Sequence, residues 1–99
     1  SIKGATWWVT VKVSAYDCTN NIGAAWQIVG IFRKNKSAGG TVLVGDPMVL
    51  ASAESGLSSC SVSIAADTAN DAIDLKVTGL ASTTINWTAS VETTESGSN

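Results

Sequence analysis

The side chains that could do chemistry in this 99-residue chain are few. Histidine is absent, which removes the commonest general base, histidine-containing nucleophile triads and histidine metal sites. Ser and Thr supply 24 residues, but no serine has a plausible base and the Gly-x-Ser-x-Gly elbow is missing. Their abundance fits the wet faces of β-strands. Among the carboxylates, Asp67, Asp71 and Asp74 are close in sequence, and a turn could gather them around Ca²⁺, which takes 6–8 oxygen ligands. They do not match the EF-hand spacing. Asp71 and Asp74, an odd number apart, would face opposite sides of one strand, so a solvated turn is the favoured reading. A Cys18–Cys60 bridge would close a loop of about 40 residues and contribute about 4 kcal/mol in the chain-entropy model. The simpler reading makes Cys60 a small core residue and Cys18 a free turn thiol. No Cys-x-x-Cys spacing exists. These residues predict neither an enzyme nor a metal or other cofactor.

Tryptophan is the unusual feature: four, against one Phe and one Tyr. Trp7, Trp26 and Trp87 fall on apolar registers of three alternating segments and read as core. Trp8 is out of register and shares the opposite face with Tyr16. An exposed Trp there is an anchor for a subunit interface, a surface covered by a further segment, or a platform for a sugar ring. Trp8 and Tyr16 are the candidate interface or binding residues.

The elements that must position them are strands. Apolar Trp7, Val9, Val11, Val13 and Ala15 alternate with Thr10, Lys12, Ser14 and Tyr16, the period of a half-buried strand. Trp26 to Arg33 is largely apolar on both registers, Gln27 and Arg33 excepted, which predicts a central strand covered on two sides. Thr41–Ala53 reads as an extended segment bent once at Gly45-Asp46-Pro47, because proline cannot donate to a ladder. Three further alternating segments run around Val62, Leu75 and Trp87, the last read as an interior strand. Asn, Asp, Gly and Ser turns join them. No apolar i, i+3, i+4, i+7 repeat requires a helix. The fold class is therefore all-β, an antiparallel sandwich or jelly-roll-like arrangement of about six or more strands. The chain reads as a single β domain over 1–99, with 1–5 as the possible stump of a preceding strand or linker and 95–99 as a flexible tail. Lacking Met at position 1, it reads as a fragment, a processed form or an excised domain.

The net charge of −2 gives no basic stripe for nucleic acid, and no apolar run approaches a membrane span.

With the last segment in view, the chain resembles a family. Thr83-Thr84-Ile85-Asn86-Trp87-Thr88-Ala89-Ser90-Val91-Glu92-Thr93-Thr94-Glu95 is similar to the closing strand of a group of phage and prophage virion proteins. That pattern runs loosely Thr-Ile-x-Trp-x-Ala-x-Val-x-Thr-x-Glu. It follows a strand like Asp71–Gly79 and a turn like Ala66-Asp67-Thr68-Ala69-Asn70. Ala24–Asn35 and Thr41–Gly45 resemble the family's second and third strands, so the resemblance extends from about Trp7 to Glu95. It implies a compact β domain, often C-terminal in tail fibres or tailspikes and commonly trimeric. It also implies one or two further strands before Trp7, which would make this chain the tip of a longer fibre. The function expected is a trimerising C-terminal domain of a virion tail fibre or tailspike that presents loops to a host-surface receptor. Its expected partners are two further copies, other virion proteins or that receptor, with no nucleic acid and no membrane insertion. A capsid decoration (cement) protein is one alternative; a carbohydrate-binding module using Trp8 and Tyr16 is another.

Overall fold

The period-two pattern near the N-terminus becomes two long strands in the computed structural model, β1 (Ala5–Asp17) and β2 (Ile22–Lys34). The structure describes residues 4–35, 40–67 and 72–97. Asn21, at φ 58°, turns the chain between these strands, a conformation asparagine tolerates. The turn is held by the fully buried Asp17 carboxylate. Its Oδ1 accepts the backbone N–H groups of Thr19 at 2.8 Å and Asn20 at 3.0 Å, and its Oδ2 accepts the Asn20 side-chain amide at 2.9 Å. The Asn20 amide chiefly, helped by the two backbone donors, holds this carboxyl below its ordinary pKa even though desolvation pushes upward.

Four more strands follow: β3 (Thr41–Ala53), β4 (Ser61–Asp67), β5 (Ala72–Thr78) and β6 (Ile85–Gly97), with one 3₁₀ turn at Ser55–Leu57. All pairings are antiparallel. The large sheet has the order β3-β2-β1-β6, and β4 and β5 form a two-stranded sheet. The hairpin lies across one face of the large sheet in a sandwich-like fold. There Val9, Val11, Ile28 and Phe32 pack with Leu57 and Ile64, all nearly inaccessible to solvent. Gly30 permits this approach: a Cβ there would stand 2.6 Å from Ile64 Cδ1.

The bend expected in β3 is a bulge. Pairing steps from Val29↔Met48 to Ile31↔Val44, leaving Gly45-Asp46-Pro47 opposite Gly30, with Gly45 at φ 70°. Four expectations are corrected. Residues 95–97 are not a loose tail but the end of β6, paired with Ala5–Trp7, and Trp7 Nε1 donates to Glu95 Oε1 at 2.8 Å. For the same reason Ala5 belongs to β1 rather than to a stump. β2 is central but covered on one face only, since the hairpin occupies a single side. The strand carrying Trp87 is an edge strand, so Trp87 is half-buried rather than enclosed. Both cysteines are free, Cys18 exposed and Cys60 buried.

The molecule is a rod of 52 × 21 × 19 Å with a radius of gyration of 16.0 Å, against about 13 Å for a compact chain of this length. Strands of 13 residues account for the shape, because at ~3.4 Å per residue each spans about 44 Å.

Candidate functional site

The face of the large sheet turned away from the hairpin carries both candidate residues. Strand alternation forces this, since Trp8 and Tyr16 are even-numbered on β1 and the buried residues are odd-numbered. Each is 48% exposed. Trp8 Nε1 donates to Thr10 Oγ1 at 3.1 Å, and Tyr16 Oη donates to Asn21 Oδ1 at 2.8 Å, so each polar tip is satisfied and its ring is left free. The fold puts them on one face but not together. Eight residues of strand separate them by about 27 Å, too far to clasp one sugar ring between them.

Trp8 instead stands beside Ile31, its partner on β2. From there an apolar surface runs across β2 and β3, where Ile31 pairs with Val44, Val29 with Met48 and Gln27 with Leu50. Val44, Met48 and Leu50 are 45%, 58% and 72% exposed. Sequence reasoning missed these three, because alternation does not say which register of β3 faces outward, and the bulge at 45–47, adding two residues, leaves the even register outward on both sides of it. The signal available was that both registers of Val42–Leu50 are apolar.

Toward Tyr16 the same face sinks into a shallow basin of about 410 Å³ whose rim includes Lys12, Ser14, Gln27, Leu50, Ser52 and Thr88. Its centre is low because Ser14 and Ala25 are paired there. Hydroxyls, one amide and one ammonium there can hydrogen-bond a polar surface. The acids named from sequence lie elsewhere. Asp67 and Asp74 are on the hairpin, paired with Ala72 and Ala65, and Asp71 is outside the described residues. Among the described residues no three Cys, Asp or Glu side chains are close enough to share a metal ion.

No family model, curated protein or solved structure matches the chain.

Proposed function

We propose that this chain is a structural module of a virion, a domain of tail-fibre or tailspike type that assembles as a homotrimer and offers its loops to a host-surface receptor. The observation that carries the proposal is the open apolar surface from Trp8 through Ile31 to Met48 and Leu50, on a rod whose strands run lengthwise. Continuous apolar surface of this kind marks an interaction site. A rod with its strands along the axis is also a shape that adds length to a fibre. The resemblance of the closing segment Thr83–Glu95 to virion proteins supplies the biological setting.

Adsorption tests the receptor role. Purified domain should bind host cells, and excess free domain should block virion attachment. A domain that neither binds cells nor competes with virions would overturn that role.

A further inference from the structure

Among the described residues no further strand pairs with either edge of the large sheet, and the hydrogen-bonding groups of the two edges are in matching phase. The Cys18 N–H donates to the Thr84 carbonyl at 2.9 Å, one step beyond the pair Asp17↔Ile85. Bonded and non-bonded pairs alternate in an antiparallel ladder, so the even residues of β6 turn their N–H and C=O groups toward β1. Those of Trp87, Ala89, Val91, Thr93 and Glu95 therefore point off the edge. On the opposite side, the Glu54 N–H donates to the Gly23 carbonyl at 3.1 Å, one step beyond Ala24↔Ala53. By the same alternation Val49, Ala51 and Ala53 of β3 offer their groups outward. The two strands run in opposite directions, as the alternating order β3-β2-β1-β6 requires.

We infer that three copies close into a ring in which β6 of each chain pairs with β3 of the next, enclosing the faces that carry Trp8, Met48 and Leu50. This rests on the trimer proposed above and specifies how its copies meet. Rotation about an axis along the strands keeps residues at the same level. Within one chain, Val91 is level with Val49 through Val11 and Ile28, and Trp87 with Ala53 through Ala15 and Ala24. Rotation thus sets Val91 against Val49 of the next copy, Ala89 against Ala51 and Trp87 against Ala53. Each of these residues has its main-chain groups pointing off the edge, so the register that rotation imposes is also one that hydrogen-bonds. Val91 and Val49, 58% and 57% exposed in the single chain, cover one another.

The number three follows from width. Four strands at ~4.8 Å make a sheet about 19 Å wide, and a triangular tube of three such sheets sets each about 5–6 Å from the axis, half the ~10 Å spacing of packed sheets. The enclosed middle receives one Lys12 and one Glu92 from each copy, two rungs apart on the same face of the β1–β6 ladder, so these two charges offset one another. Pro47 withholds one donor and the bulge interrupts the ladder, which divides the pairing into two stretches without changing its direction.

Ser52 and Thr88 occupy a non-bonded rung, level through Ser14 and Ala25. Within one chain they are three strands apart, about 14 Å, beyond the ~7 Å that a disulfide spans between Cα atoms. In a Cys18→Ser background, Ser52→Cys with Thr88→Cys should oxidise in air to a covalent trimer on a non-reducing denaturing gel, reversed by thiol, while neither single variant does. Ala51→Pro loses only an outward N–H and should convert trimer to folded monomer. A trimer in solution that forms no such cross-link, or that survives Ala51→Pro, overturns the edge pairing and leaves the trimer standing. A monomeric wild type overturns both. Cross-linked dimers from Thr88→Cys alone would show that β6 pairs with β6 instead, which also overturns the ring.

Discussion

Trp26 and Trp87 stack across β1, ring centroids 5.7 Å apart and planes inclined by 26°. Trp26 is paired with Val13 and Trp87 with Ala15, so the two indoles come from strands on either side and meet above small residues. The stack ties the edge strand β6 to the centre of the sheet, where the hairpin does little to cover it.

Trp26→Ala should therefore destabilise the chain by about 3–5 kcal/mol, since it empties a buried site. Trp87→Ala should cost less, about 2–3 kcal/mol, because part of its ring is already in water. The double variant should fall short of the sum by about 0.5–1.5 kcal/mol, the coupling of an aromatic pair. Urea unfolding of the four proteins measures this, and strict additivity would show that the stack carries no energy.

Gly30→Ala should cost about 1–3 kcal/mol, because the new methyl group overpacks against Ile64. Ile64→Val deletes the Cδ1 atom that stands 2.6 Å from the added Cβ. In that background the glycine substitution should be markedly milder. An equal penalty in both backgrounds would place the strain elsewhere.

The pH response should be dominated at the acid end by Asp17. Its folded pKa lies below the ordinary value, chiefly through the Asn20 amide. The stability it contributes is then fully present above the unfolded pKa near 4 and is lost as pH falls through the lowered folded value. Asn20→Ala removes the main cause, so the variant should be less stable at neutral pH and should converge on wild type as the pH falls through that lowered value. Thermal melts across that range decide it. A gap that persists unchanged in acid would mean the loss is not linked to the carboxylate.

How far these features were legible in sequence depended on whether alternation alone fixed them. The odd register of β1, the inward placement of Trp26 and the outward Trp8 all follow from period two. So did the bend at Gly45-Asp46-Pro47, from proline's missing donor. Not legible was which register of β3 faces outward, because apolar residues stand on both, and the two residues added at the bend leave Val44, Met48 and Leu50 on one face. The end of β6 was misjudged for a related reason. Glu95-Ser96-Gly97 has the composition of a tail, but the length of β1 and the Trp7–Glu95 hydrogen bond hold it in the sheet. Strand order was also hidden. Nothing local in Ile85–Gly97 says edge, and only the pairing with β1 alone does.

Leu50→Lys should separate fold from assembly. Leu50 is 72% exposed in the single chain, so the change should alter intrinsic stability by no more than about 0.5 kcal/mol. In the trimer it places three further cations inside the enclosed face. The variant should stay folded by circular dichroism while losing its assembled form, with Trp8→Ala weakening assembly in the same direction. A Leu50→Lys protein that remains assembled would show that this face is not the contact.

The mass of the purified chain in solution tests the central claim most directly. Multi-angle light scattering at micromolar concentration should give about 30 kDa, three times the 10.1 kDa chain, and hold that value on dilution well below the loading concentration. A constant 10.1 kDa at every concentration would contradict the account, because the apolar face from Trp8 to Leu50 would then stand open in the working protein.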